Sequence, residues 1–302
     1  MIIKSLISGL SSLKENKRII IVFYLANLIA GLIIMVPFRS LAGSLAGYSL
    51  LGKDLSRGLN MDFIIELITK YSSSLTTVSG LIFLMPVLYG LWTLFISGGA
   101  YGVFIHGKES GILSLWSYSA KYFGRIFRLF LWSIPILIII YLTQFIFTGI
   151  KFIIWGSDPY QYINYWIGWV RFGWTYLAFI FYFIIFDYSR IILILNEENR
   201  TRSALWQGIK FFFKHPIRTV ILALMVFCSS QIAFLVYMMV SPILNAPNTL
   251  IVIILLLVQQ IYIFTRMSLR LTLYSSQVYM YKYIEQYEDT TALSEYQPVS
   301  QI

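Results

Sequence analysis

Residues 129–150 read LFLWSIPILIIIYLTQFIFTGI, a run of 22 residues without a charged side chain. An α-helix rises about 1.5 Å per residue, so this run is long enough to cross a hydrocarbon core about 30 Å thick. Five more apolar runs of similar length occupy residues 19–38, 81–105, 172–195, 219–241 and 249–274. The sequence therefore predicts an all-α fold, a polytopic transmembrane helical bundle of six spans.

The composition excludes a soluble globular class. Of the 302 residues, 58% are hydrophobic, 18% are aromatic and only 12% are charged, and the mean hydropathy is +0.75. These values lie outside the range of soluble domains, so the lipid bilayer is the expected surrounding of the chain. We expect one transmembrane domain over residues 1–282 and a short disordered acidic tail over residues 283–302, since no Lys or Arg follows Lys282.

The distribution of cationic residues predicts the orientation of the chain. Seventeen of the 23 Lys and Arg residues lie in or beside the N-terminal segment, the loops after the second and fourth spans, and the C-terminal segment, whereas six lie on the opposite side. The positive-inside rule then predicts that both termini are cytoplasmic. The net charge of +10 is explained by this topology, and because no soluble basic domain is present we expect no nucleic-acid partner.

Two cytoplasmic stretches resemble each other when the chain is shifted by 90 residues. The shift places Leu115-Trp116 on Leu205-Trp206, Tyr122-Phe123 on Phe212-Phe213, and Arg128 on Arg218. Both stretches have apolar residues at helical spacing and cations on the other face, a pattern typical of amphipathic interfacial helices that contact anionic lipid. An internal duplication, shared interfacial chemistry or chance explains the match. The candidate lipid contacts are Trp116, Lys121, Arg125, Trp206, Lys210 and Lys214.

Charged residues inside the predicted spans indicate a polar site. Asp187 lies about 15 residues into the fourth span and Arg266 about 17 into the sixth, so their depths agree within about 3 Å. A charge at depth favours a partner or a wet cavity, and Arg190 is within reach of Asp187 at i+3. We predict an intramembrane polar cluster of Asp187, Arg190, Arg266, Arg270 and Gln260, either a structural ion pair or a site for an anionic headgroup or substrate.

No sequence motif predicts a catalytic, cofactor-binding or metal site. The two histidines, His106 and His215, have no Cys or carboxylate at a ligand spacing, and Cys228 is the single cysteine. No Gly-rich phosphate loop is present, and no nucleophile has a positioned base. We expect no cofactor and no enzymatic activity. Gly98 and Gly102 have the small-xxx-small spacing that allows helices to approach closely.

A family resemblance follows from several short motifs. They are Asn27, Gly47-Tyr48-Ser49-Leu50, the amphipathic stretch 62–71, Asp187-x-x-Arg190, Ala204-Leu205 and Lys214-His215-Pro216. In this order they resemble a family of uncharacterised bacterial six-span integral membrane proteins, and are loosely similar to the membrane domain attached to some glycerophosphodiester phosphodiesterases. The resemblance implies a multi-pass protein of the bacterial cytoplasmic membrane, and it implies no particular activity.

Two functions therefore remain open at this point. The first is a noncatalytic scaffold, accessory or lipid-contacting component, with a protein partner or a second copy of the chain as possible associates. The alternative is a small permease or lipid-handling transporter with a polar site between spans four and six. Matched Gly or Pro breaks at the middle of the spans, which transporters of the repeat type use, are missing here. The sequence therefore favours the noncatalytic component.

Overall fold

The computed structural model describes residues 1–46, 61, 65, 72–107, 111–156, 160–197, 200–244 and 249–295. These residues form eight helices and no strand. The helices are α1 (Ile2–Glu15), α2 (Lys17–Ala46), α3 (Ser72–His106), α4 (Ile112–Trp155), α5 (Gln161–Leu195), α6 (Thr201–Lys214), α7 (Pro216–Val240) and α8 (Thr249–Glu295). The outer-loop stretch 62–71, apart from residue 65, lies outside the described residues.

Six of the helices are long and apolar enough to cross a membrane, namely α2, α3, α4, α5, α7 and α8. The predicted helical membrane fold is therefore confirmed. Several helices run beyond the predicted spans. In particular, α8 continues to Glu295, so residues 283–295 of the segment predicted as a tail are helical.

The first predicted interfacial helix is not a separate element. Residues 112–128 are the beginning of α4, which continues without a break for 44 residues to Trp155. In the second cytoplasmic stretch, α6 ends at Lys214 and α7 begins at Pro216. The helix breaks there because proline has no amide hydrogen to donate within the helix and clashes with the preceding turn. A shift of 90 residues puts Ile126 at the position of Pro216, so nothing interrupts α4 there.

Contacts group the chain into two compact units. The first unit comprises Met1–Asn16, Ser97–Cys228 and Arg270–Ile302, and the second comprises Lys17–Ile96 and Ser229–Leu269. In the second unit Asn27 links three helices: its Oδ1 accepts from Tyr89 Oη at 2.5 Å and its Nδ2 donates to Met267 Sδ at 3.0 Å.

The first unit contains three close crossings between a shorter and a longer helical segment. Gly9 of α1 faces Ser276 of α8, and a Cβ built on Gly9 would lie 2.8 Å from the Ser276 nitrogen. Gly99 of α3 contacts Leu115 of α4, and Gly208 of α6 packs on Ser189 of α5. At each crossing a glycine allows the backbones of the two helices to approach closely, as small residues do in other membrane helix pairs. The arrangement is thus repeated three times in this unit.

Candidate functional site

A buried ion pair lies near the end of α5, in the first unit. Asp187 and Arg190 are three residues apart and therefore share one face of the helix, and Arg190 Nη2 donates to Asp187 Oδ1. The other carboxylate oxygen, Oδ2, accepts from Gln277 Nε2 of α8 at 3.2 Å. Arg190 Nη1 donates to Ser97 Oγ of α3 at 3.0 Å. We call Ser97, Asp187, Arg190 and Gln277 the Asp187 cluster.

Aromatic rings enclose the guanidinium of Arg190. Its Cζ lies 4.6 Å from the centroid of the Phe186 ring, 5.2 Å from that of Tyr101 and 5.7 Å from that of Tyr274. The electron-rich ring faces stabilise a cation that is removed from water. Arg190 is only 6% exposed and Asp187 only 7%. Both charges are therefore neutralised within the protein rather than by solvent.

The members of this cluster occupy related positions in the chain. Ser97, Asp187 and Gln277 follow one another at intervals of 90 residues, the same interval that relates the two cytoplasmic stretches. They lie on α3, α5 and α8, the three longer segments of the repeated crossings. Three polar side chains spaced 90 residues apart therefore meet at a common place, and Arg190 supplies the charge that balances Asp187.

Some buried polar atoms of the described residues on α5 and α8, the helices that carry Asp187, Arg190 and Gln277, have no hydrogen-bond partner. They are Arg190 Nε, Tyr188 Oη, Ser275 Oγ and Ser276 Oγ. Buried polar groups are nearly always paired, so each such atom marks a place where water or a ligand group would be stabilised. Within the cluster this atom is Arg190 Nε, so the cluster can donate one hydrogen bond to a small polar species or can simply anchor three helices.

The five residues of the predicted polar cluster do not all belong to the same unit. Asp187 and Arg190 are in direct contact. Arg270 belongs to the same unit, and its Nε donates to Tyr274 Oη at 2.9 Å, so it joins the aromatic shell of Arg190. Gln260 and Arg266 belong to the second unit, where Gln260 Oε1 accepts from Tyr24 Oη at 2.8 Å and Arg266 is exposed. A partnership of Asp187 with Arg266 stays a prediction.

Two of the predicted lipid contacts have a protein partner instead. Lys121 Nζ donates to Glu197 Oε1 at 2.7 Å, and Arg125 Nη1 donates to the Glu197 carbonyl at 3.0 Å. The hydrogen bond from Lys121 lowers the pKa of the Glu197 carboxyl below its usual range. Glu197 has a φ of 47°, a left-handed conformation that is unfavourable for a residue with a side chain. These contacts with α4 hold the end of α5 in that conformation.

The other four predicted lipid contacts, three on α6 and one on α4, are exposed. Trp206 is 58% exposed, and Lys210 Nζ lies 5.9 Å from its ring centroid. Lys214 is also exposed, and Trp116 of α4 is marginally so. The apolar residues of α6 do not all face the lipid. Leu205 and Phe212 are buried, and the Phe212 ring lies 5.3 Å from that of Phe181 on α5.

A groove lies along the beginning of α6. Its volume is about 760 Å³, and its lining residues come from α6, the residue before it and one residue of α4. They are Trp132, Arg200, Thr201, Arg202, Ser203, Leu205, Trp206 and Ile209. We call this the α6 groove. The described residues contain no group of three or more His, Cys, Asp and Glu side chains arranged to hold a metal ion.

The chain matches no protein-family model, no curated protein and no solved structure. The family resemblance that the sequence motifs carry therefore stays a hypothesis.

Proposed function

We propose that this protein is a noncatalytic component of a bacterial cytoplasmic membrane that acts by contact with lipid or with a protein partner. Six helices apolar enough to span a bilayer supply the setting. The bias of Lys and Arg toward one side supports an orientation with both termini in the cytoplasm. In this orientation α6 and the Asp187 cluster lie toward the cytoplasmic surface.

The observation that carries this proposal is that the buried charges are paired with each other, whereas aromatic and cationic side chains on α6 are exposed. Inside, the charges of Asp187 and Arg190 neutralise each other, which is the arrangement expected of a structural ion pair. Outside, α6 presents Trp206 and Lys210 on an accessible face beside an open groove. Aromatic and cationic side chains of this kind are typical of surfaces that contact lipid headgroups.

The proposal is tested by purifying the protein from its native membrane in mild detergent and recording native mass spectra. We expect the chain to retain lipid, or a protein partner, in a fixed ratio. Retention of a water-soluble metabolite in a fixed ratio, with no lipid and no partner, would contradict the proposal.

A lipid-handling or permease function is the second candidate. The unpartnered Nε of the buried Arg190 favours it, since this atom is suited to water or to a polar group of a substrate. Under this alternative, proteoliposomes that contain the protein translocate a solute or a fluorescent lipid, and neutral substitution of both Asp187 and Arg190 abolishes the flux. Under the first proposal, proteoliposomes and protein-free vesicles give the same flux.

A further inference from the structure

The α6 groove combines two cations with an apolar wall. Arg200 and Arg202 both line the groove, and both are exposed. The guanidinium of Arg202 lies 5.8 Å from the centroid of the Trp132 ring, so the ring fixes the position of the charge. Among the described residues, no acidic side chain lines the groove. The groove therefore favours an anion, and the planar donors of arginine match the oxygens of a phosphate group.

Beyond the groove, the face of α4 that carries Trp132 exposes further apolar side chains. Trp132, Ile139 and Ile146 lie at intervals of seven residues, and therefore on one face of the helix. Their exposed fractions are 48%, 60% and 59%. A ligand whose charged end lies at Arg200 and Arg202 would have an apolar path along this face. That combination of a phosphate-binding end and a long apolar track fits a phospholipid and does not fit a free metabolite.

A similar groove recurs where α1 meets α7. Its volume is about 410 Å³, and it is lined by Met1, Ile2, Ile3, Arg218, Ile221 and Met225. A shift of 90 residues brings Trp132 to Leu222, which is fully buried and does not line this groove, so the two grooves are alike in composition and not in the positions that line them. Each groove lies at the beginning of a short helix and has an arginine beside apolar side chains, although the arginine of the second groove, Arg218, belongs to α7. The recurrence supports one class of ligand for both.

We propose that the α6 groove is a binding site for an anionic phospholipid, with the phosphate at Arg200 and Arg202 and one acyl chain along Trp132 and Ile139. The proposal deepens the function proposed above and rests on its assumption that the protein contacts lipid. The beginning of α6 adds to the attraction, because the free amide groups of a helix N-terminus favour negative charge. A lipid of this class would come from the leaflet that surrounds the protein.

The site is tested by native mass spectrometry of the full chain in detergent, titrated separately with phosphatidylglycerol and phosphatidylcholine of identical acyl chains. The wild type should bind phosphatidylglycerol more tightly. Each arginine near an anionic surface contributes about a fivefold change in affinity, so Arg200→Gln combined with Arg202→Gln should reduce the preference by roughly 25-fold. The matched control is Arg171→Gln, which removes an exposed arginine of α5 outside the groove.

The outcomes separate this site from the proposed function. Equal binding of the two lipids by the wild type overturns the site without reference to any variant, so misfolding of a variant cannot obscure the result. A folded double variant that keeps the full preference also overturns it, because the charge would then be recognised elsewhere. Solute flux in proteoliposomes would contradict the noncatalytic function instead, and would leave the lipid preference intact.

Discussion

Gln277 donates from its side-chain nitrogen to Oδ2 of Asp187 at 3.2 Å, across 90 residues of sequence. Ser97, another 90 residues earlier, accepts from Arg190, the partner of Asp187. The hydrogen bonds therefore join α3, α5 and α8 at corresponding positions. An anchor of this kind fixes the lateral arrangement of three helices, because satisfied buried polar groups are costly to separate.

Removal of one charge from the pair should be much more harmful than removal of both. Asp187→Ala leaves the guanidinium of Arg190 buried without its counter-charge, which costs about 3–5 kcal/mol. Asp187→Asn combined with Arg190→Met keeps an acceptor for Gln277 and fills the aromatic shell with a flexible apolar side chain. Thermal unfolding in detergent, followed by fluorescence-detected size exclusion, should rank the double variant above Asp187→Ala.

The opposite ranking, with the double variant less stable than Asp187→Ala, would show that the pair is not the element that holds the three helices. Arg171→Gln serves as the control, since it removes an exposed charge from the same helix.

Gly208 should not tolerate even a methyl group. A Cβ at this position would lie 3.0 Å from the backbone nitrogen of Ser189, so α6 would have to move away from α5 at a cost of about 1–3 kcal/mol. Gly124→Ala is the matched control, because a Cβ on Gly124 meets no atom within 4 Å and alanine favours the helix. The melting temperature should fall for Gly208→Ala and stay level or rise for Gly124→Ala. Equal melting temperatures would contradict the close crossing.

The contact between Lys121 and Glu197 predicts a sensitivity to acid. Because the pKa of Glu197 is lowered in the folded protein, the contact stabilises the protein above the unfolded pKa of about 4.3. That stability is lost as the pH falls through the lower, folded pKa. The melting temperature of the wild type should therefore decrease more steeply below about pH 4.3 than that of Glu197→Gln. Parallel curves for the two proteins would show that the carboxylate contributes nothing in this range.

The continuity of α4 predicts a long distance between its two ends. Spin labels at Leu113 and Ile139, both exposed, should lie about 39 Å apart along one continuous helix, slightly less if Pro135 bends it. A separate interfacial helix that ended near residue 127 and turned at a right angle would give about 28 Å instead. Double electron–electron resonance of the doubly labelled protein distinguishes these values.

The length of the apolar runs was sufficient to predict the six long helices, because burial in a bilayer needs about 20 residues whatever their order. It did not predict where α4 begins. Lys121, Arg125 and Arg128 make residues 112–128 look like a loop that contains a surface helix. Among the many differences from residues 202–218, the one that decides helix continuity is Ile126 in place of Pro216. Hydropathy indicates whether a segment prefers lipid or water, and it does not indicate where a helix begins or ends.

The ion pair at the centre of the site was predictable, whereas its other members were not. Asp187 and Arg190 are conspicuous because charges are rare in apolar helices. Gln277 and Ser97 have no such signal, and their side chains differ from Asp187, so a comparison by residue identity cannot relate the three. The available signal was the interval of 90 residues, extended once in each direction from Asp187. The spacing of Gly98 and Gly102 did predict close packing, and Gly102 meets Tyr118 of α4.

The central claim is that the buried charges hold the helices together while lipid is bound at the outer α6 groove. The most direct test is to measure phosphatidylglycerol binding by Asp187→Asn with Arg190→Met, using native mass spectrometry beside the wild type. The account predicts a folded protein with the same preference for phosphatidylglycerol over phosphatidylcholine. A folded variant that has lost this preference would contradict it and would place the lipid or substrate site at the Asp187 cluster.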